Sequence, residues 1–178
     1  MNTPPILVAM AGLPGTGKST LARKLAAHLK GTVLDKDEVR HALFPAPWTE
    51  YSAGQDDFVL DVMLAAAERL IATQHCPAVF IDGRTFSQSY QLDRVRAKAT
   101  ALDCRMCVIE CVCEPEVALA RIRADHGAHK AANRDETLYW RVRESFQPVP
   151  QPKILIDTGS PVDDVRIART LISGSLSE

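Results

Sequence analysis

Gly12-Leu13-Pro14-Gly15-Thr16-Gly17-Lys18-Ser19 sets two glycines five positions apart, directly ahead of a Lys-Ser pair. That spacing builds a loop that cradles phosphate. The glycines let the backbone curl until several N–H groups point at one phosphate chain, and the following helix adds its partial positive charge. The lysine reaches the β- and γ-phosphates, and the serine hydroxyl is a ligand for Mg²⁺. Gly12, Leu13, Pro14, Gly15, Thr16, Gly17, Lys18, Ser19 and the adjoining Thr20 are therefore expected to hold a nucleoside triphosphate. A second group of residues stands downstream. Asp35 and Asp37 place carboxylates at i and i+2, and Arg40 follows about one helical turn after Asp37. An aspartate that accepts a hydroxyl proton and an arginine that holds an anionic or polar acceptor are parts of a phosphotransferase. Two readings compete for Asp37: this general base, or a helix cap.

A third candidate is Asp82, which ends the apolar run Val79-Phe80-Ile81. An acid at the end of a buried strand has the pattern of a carboxylate that binds Mg²⁺ directly or through water; the alternative is a strand-end aspartate opening a turn with Gly83. Arg84 follows, placed either to contact acceptor or phosphate or to stand exposed on the surface. Arg40 and Arg84 lie in sequence beside Asp35, Asp37 and Glu38, so the acceptor side is expected to be close to neutral or acidic. His126 and His129 are spaced i, i+3 without a third ligand nearby, and read as surface histidines. Trp48, Tyr51 and Phe58 read equally as pocket lining or as core.

The elements that must position these groups alternate. Apolar runs at Ile6–Ala11, Thr32–Asp35, Ala78–Asp82, Cys104–Val112 and Lys153–Asp157 read as strands. Helical patterns fall at Lys18–Lys30, Asp37–Leu43, Asp56–Thr73, Gln88–Ala101, Glu116–Ala124, Asp135–Phe146 and Val162–Ser173. Leu21, Leu25 and Leu29 form one stripe on the first helix, which Gly31 is expected to close. Such alternation predicts an α/β fold, a parallel sheet with helices on both faces. The segment Asp125–Arg134 is polar and weakly periodic, which suits a mobile flap.

A length of 178 residues fits a single domain spanning 1–178, and 46% hydrophobic with 24% charged residues is an ordinary globular composition. The net charge of −1 supplies no basic field, which argues against nucleic acid as a partner. No run approaches transmembrane length, so no membrane partner is expected and the location is read as cytoplasmic. The five cysteines include Cys107, Cys111 and Cys113 on one strand face, where they cannot surround a single ion; they read as small buried hydrophobes.

Gly12–Thr20 followed by Leu34-Asp35-Lys36-Asp37-Glu38-Val39-Arg40-His41-Ala42-Leu43 resembles the small P-loop kinases. Adenylylsulfate kinase is the chief resemblance, with Leu-Asp-Gly-Asp-Asn-Val-Arg-His-Gly-Leu as its own motif. The pair of motifs is also similar to the kinase domain of phage polynucleotide kinase, to zeta-toxin-like and chloramphenicol phosphotransferase-like proteins, to shikimate and gluconate kinases, and to AAA-type predicted kinases. The resemblance implies a three-layer P-loop NTPase fold with five parallel strands in the order 2-3-1-4-5 and a helical lid inserted near residues 125–135. It implies ATP and Mg²⁺ as cofactors and a small-molecule hydroxyl acceptor, in a monomer or homodimer. Asp37 falls at the general base, Arg40 at the acceptor, and Asp35 beside Mg²⁺ or the acceptor, which makes Ser19, Asp35 and Asp82 the metal candidates. Arg121 and Arg123 take the place of lid arginines that screen the phosphates, with Arg134 near the far side of the flap. Thr158 lies near the adenine. Lys36 and Ala42 depart from the glycines of the adenylylsulfate kinase motif, and Glu38 from its asparagine. Asp82-Gly83-Arg84 stands where that family carries Phe-Ile-Ser-Pro. Two other readings remain open: a polynucleotide 5′-hydroxyl kinase, and a non-catalytic ATP-binding switch or toxin-like module.

Overall fold

The computed structural model describes residues 4–125 and 135–174. Five strands, β1 (Ile6–Ala11), β2 (Thr32–Asp35), β3 (Ala78–Asp82), β4 (Arg105–Val112) and β5 (Ile154–Asp157), form one parallel sheet in the order β2-β3-β1-β4-β5. Seven helices among the described residues cover it: α1 (Lys18–Leu29), α2 (Lys36–Leu43), α3 (Ala53–Ala72), α4 (Ser89–Ala101), α5 (Pro115–Ala124), α6 (Glu136–Ser145) and α7 (Asp164–Ser173). This is the three-layer α/β P-loop fold and strand order that the motifs imply.

The sheet explains why β1 reads as an unbroken apolar run. All six of its residues are buried, because helices cover both faces. Leu7, Ala9 and Ala11 pack with Val59, Met63 and Leu64 of α3 and Leu92 and Val95 of α4. Ile6, Val8 and Met10 pack with Leu21 and Leu25 of α1 and Ile167 and Leu171 of α7. Each large side chain so buried contributes roughly 1.5–3 kcal/mol. A smaller cluster joins α5 to α6 through Ala118, Leu119, Ile122 and Tyr139, with Leu13 of the phosphate loop against it. The loop is thus seated on a packed helical pair.

Most elements shift from expectation by one to three residues at one end or both, and two of the shifts have a clear physical cause. Gly31 does not supply the left-handed residue that ends α1; Lys30 does, at φ 53°, while the Gly31 N–H donates to Ala26 O at 2.8 Å. Gly31 is needed for another reason, since a Cβ there would stand 2.2 Å from the Ala78 carbonyl oxygen. Helix α3 starts at Ala53 rather than Asp56, because the Ser52 hydroxyl accepts from the Gln55 N–H and caps it. Asp56 and Asp57 therefore lie inside the first turns of α3 instead of opening it, and α3 packs against α2.

Parallel pairing brings the C-terminal ends of the central strands together. Asp35 of β2 is in register with Asp82 of β3, and Ala9 of β1 with Ile81. The loop after β1 thus opens beside both acids, at the edge where ligands bind in open α/β sheets.

Candidate active site

The phosphate loop is held by backbone geometry. Gly15 has φ +78°, and a Cβ there would lie 2.4 Å from the Ala118 carbonyl oxygen, so only glycine lets the loop rest on α5. Thr16 Oγ1 donates to Leu13 O at 2.7 Å and closes the turn. Lys18 Nζ donates to Gly12 O at 2.8 Å and Leu13 O at 2.6 Å, which folds its ammonium over the loop. Beside the loop lies a cavity of about 600 Å³, lined among others by Gly15, Gly17, Lys18, Ser19, Thr20, Arg121 and Thr158. Arg121 reaches it from α5: its Nη1 donates to Thr158 Oγ1 at 3.2 Å and to Gly15 O at 3.4 Å, and its Nη2 to Thr158 O at 2.7 Å. Thr158 Oγ1 in turn donates to Thr16 O at 2.8 Å. These bonds bind the loop, α5 and the turn after β5 into one wall.

Asp82 is fully buried, and neither carboxylate oxygen has a hydrogen-bond partner among the described residues. Burial pushes its carboxyl above the usual range; the nearby Ser19 hydroxyl, Lys18 ammonium and Gly83 backbone oppose that shift only in part. An unpartnered buried carboxylate costs free energy, and a cation held between it and the Ser19 hydroxyl would offset that cost. The donor set fits Mg²⁺, which takes few protein oxygens and fills its remaining positions with phosphate and water. Asp35, the third metal candidate, commits one oxygen elsewhere. Its Oδ1 accepts from the Asp37 N–H at 2.9 Å and the Glu38 N–H at 3.2 Å, capping α2. The cap that competed for Asp37 is thus supplied by Asp35.

A second cavity, of about 270 Å³, borders the loop at Pro14, Lys18 and Ser19. Lys18 and Ser19 line both. Its charged walls are Asp37, Arg40 and Lys36 from α2, Asp56 from α3, and Arg84 after β3; Leu138 and Val142 of α6 add an apolar side. Arg40 Nη1 donates to Asp37 Oδ1 at 2.6 Å, and Arg40 Nη2 pairs with Asp56 Oδ1. Lys36 Nζ donates to Asp56 Oδ2 at 3.0 Å and stands 3.8 Å from Asp37 Oδ1. Both cations approach Oδ1 of Asp37, and its Oδ2 makes no hydrogen bond among the described residues. Tyr51 packs on Arg40, its ring centroid 5.2 Å from the guanidinium carbon. Burial lowers the Lys36 ammonium to about 8, with Arg40 and Arg84 pushing the same way and Asp37 and Asp35 opposing.

This cavity is more cationic than the sequence order suggests. Asp35 is turned to its cap and Glu38 lines neither cavity, while Lys36 joins Arg40 and Arg84. Three cations then face Asp37 and Asp56, apart from the shared Lys18.

The remaining candidates divide. Arg121 and Thr158 stand at the first cavity. Arg123 lines neither; its Nε donates to Glu136 Oε1 at 2.6 Å on an exposed surface. Trp48 is 70% exposed, and Phe58 packs edge-on against Phe44. Arg84 is 4% exposed, not a surface residue. All five cysteines are free, and burial pushes the Cys107 and Cys111 thiols up to about 12. The flap, with His126, His129 and Arg134, lies outside the described residues except for Asp125, which lines the first cavity. No described helix is long and apolar enough to cross a membrane.

Sequence reasoning missed Asp56 and Lys36. Asp56 reads as a helix-opening acid, and its partners lie 16 and 20 positions away. The substitution of Lys36 for a motif glycine was the available signal for the second.

A family profile described as an AAA domain matches residues 7–149. No curated protein matches the sequence. Among solved structures, a candidate kinase from Chloroflexus aurantiacus is 23% identical, with a TM-score of 0.76 over 99% of this chain and 100% of the other. The APS kinase CysC of Mycobacterium tuberculosis, in complex with AMPPNP and APS, is 16% identical, with a TM-score of 0.67 over 97% and 98%. Kti12 of Chaetomium thermophilum, in complex with ADP-AlF3, is also 16% identical, with a TM-score of 0.68 over 97% and 100%. The fold is that of a small P-loop kinase-like protein.

Proposed function

We propose that this chain, which belongs to the AAA-domain family, is an ATP-dependent phosphotransferase acting on a hydroxyl of a compact small molecule. The observation that carries the reading is the meeting of two cavities at Lys18 and Ser19, one beside the phosphate loop and one holding Asp37. A triphosphate laid along the loop from the larger cavity would end at the mouth of the smaller one. There an acceptor hydroxyl would give its proton to Asp37 as its oxygen bonds to the γ-phosphorus, and the bridging bond to ADP would break. Arg40 orients Asp37 by holding Oδ1. Lys18 and Arg121 neutralise charge on the phosphates. Ser19 and Asp82 would hold Mg²⁺, which supplies further neutralisation at the phosphate oxygens.

Incubation with ATP, Mg²⁺ and pooled hydroxyl compounds, read as a gain of one phosphoryl group by mass, tests the reading. Asp37→Asn keeps size but removes the basic oxygen, so transfer should fall by roughly 10²–10⁴ with ATP affinity nearly intact. Activity within a few-fold of wild type would move the base elsewhere.

A further inference from the structure

We infer that the acceptor carries an anionic oxygen group, a carboxylate or a tetrahedral oxyanion, bound by Arg84 at the floor of the smaller cavity. Three observations converge on Arg84. Its side chain is 5% exposed, and it lines the smaller cavity but not the larger. One nitrogen, Nη2, donates to Asp57 Oδ1 at 2.6 Å, with Tyr90 Oη at 3.5 Å. The other two, Nε and Nη1, are buried without a hydrogen-bond partner among the described residues. Guanidinium N–H groups shut away from water and left unpaired are costly, the more so for a charged group.

The carboxylate that anchors Arg84 does not line the cavity. Asp57 and Tyr90 hold the guanidinium from outside it, and Asp57 is shared with Arg94 at 3.5 Å. Arg40 is held differently: Asp37 and Asp56 each take one of its nitrogens, and both line the cavity. Arg40 is thereby compensated inside the pocket, whereas Arg84 brings a charge whose counterion lies behind it. A guanidinium fixed on one nitrogen with donors to spare suits an oxyanion, which accepts at several oxygens at once. Asp37 and Asp56 would repel an anion placed over α2, so the anionic end of the acceptor belongs at Arg84 and its hydroxyl at Asp37.

The inference rests on the phosphotransferase reading for calling this cavity an acceptor site; the anion subsite itself is testable without turnover. Protein loaded with AMP-PNP and Mg²⁺, so that the phosphate loop is filled, is titrated with inorganic sulfate and separately with acetate. The arginine Nε–H signals are followed by NMR, with Arg84 assigned through its loss in Arg84→Gln. A saturable shift at Arg84 is expected with at least one anion, and at least tenfold weaker binding, read at the Arg40 signal, in Arg84→Gln. Saturation by sulfate alone points to a tetrahedral oxyanion, and by acetate alone to a carboxylate. An Arg84 signal that moves with neither overturns the inference, as does wild-type anion affinity in Arg84→Gln. A turnover arm compares glycerol, glycerate and glycerol 3-phosphate as one neutral and two anionic acceptors of similar size. Transfer to glycerol at the rate of the anionic pair sinks the inference while sustaining the phosphotransferase. Anion saturation at Arg84 in a protein that transfers phosphate to nothing sustains the subsite and sinks the phosphotransferase.

Discussion

The two cavities that meet at Lys18 are built differently. The larger takes one wall from backbone, the positive-φ glycines of the phosphate loop and the N-terminus of α1, and the rest from Arg23 and Lys24 of α1, the end of α5 with Arg121, and the turn at Thr158. The smaller is a side-chain object, with Lys36, Arg40, Asp37, Asp56 and Arg84 drawn from α2, α3 and the turn after β3. A backbone cradle suits a ligand part that never changes, the triphosphate. A network of ion pairs can be altered by single substitutions, which is where a fold shared with kinases of other acceptors must differ.

The comparison is broken most directly at Lys18. Lys18 carries the ammonium that lines both cavities, so Lys18→Ala should abolish turnover or weaken ATP binding while leaving the melting temperature near wild type. Wild-type ATP affinity and rate would remove the phosphate-loop reading. Next in size is Asp56→Asn, which strips one carboxylate from both Arg40 and Lys36. Arg40 is almost wholly buried, so losing half of its compensation should cost about 1–3 kcal/mol of stability in urea unfolding. Acceptor KM should rise on the order of tenfold, which corresponds to about 1.4 kcal/mol of lost acceptor binding, with ATP KM unchanged. A matching loss on the ATP side would mean that the cavities are one coupled unit.

The same contrast decides what could be read in advance. The phosphate loop is contiguous, and its glycines, lysine and serine stand in one fixed order, so the loop, the strand order and the layers were legible. Asp35, Asp37 and Arg40 were legible as a cluster, but not which acid caps α2, because that depends on the φ and ψ of Asp35 at the strand end. Asp56 and Asp57 gave no local sign of their partners: Arg40, Lys36 and Arg84 reach them only once α3 packs beside α2 and β3. Starting α3 three residues late also hid both acids as helix-opening residues. The charge of the smaller cavity followed the same error, since sequence neighbours such as Glu38 were counted and Lys36 was not.

A smaller effect sharpens the comparison through pH. The Lys36 ammonium sits at about 8 in the fold, against 10.5 for the free side chain, because burial outweighs Asp37 and Asp35. Between those values the unfolded chain binds the extra proton, so stability rises with pH. Below about pH 8 both states are protonated and the cost of burying the charge is present in full. Wild type should therefore gain stability relative to Lys36→Met from about pH 8 toward 10.5, by up to about 3 kcal/mol. A flat difference across that window would show Lys36 to be solvated.

The smallest expected effect is at Arg123, which the sequence ranks second to Arg121 as a lid arginine. Both lie in the last turn of α5, two positions apart, so they point to different sides of the helix. Arg121 turns inward, and three of its donor contacts end on Gly15 O and Thr158 at the larger cavity. Arg123 turns outward to Glu136 in an exposed pair, where solvent and salt screen the interaction. Arg121→Ala should cost on the order of 10²–10³ in kcat, as loss of a preorganised donor at developing phosphate charge does. Arg123→Ala should leave kcat, ATP KM and acceptor KM within about twofold, as expected for a screened surface pair. Steady-state rates of the two variants at saturating ATP, measured in parallel, are the check. Equal losses would mean that Arg123 leaves Glu136 and swings to the phosphates when nucleotide binds, and that the wall around the larger cavity is completed by motion instead of being fixed by Arg121.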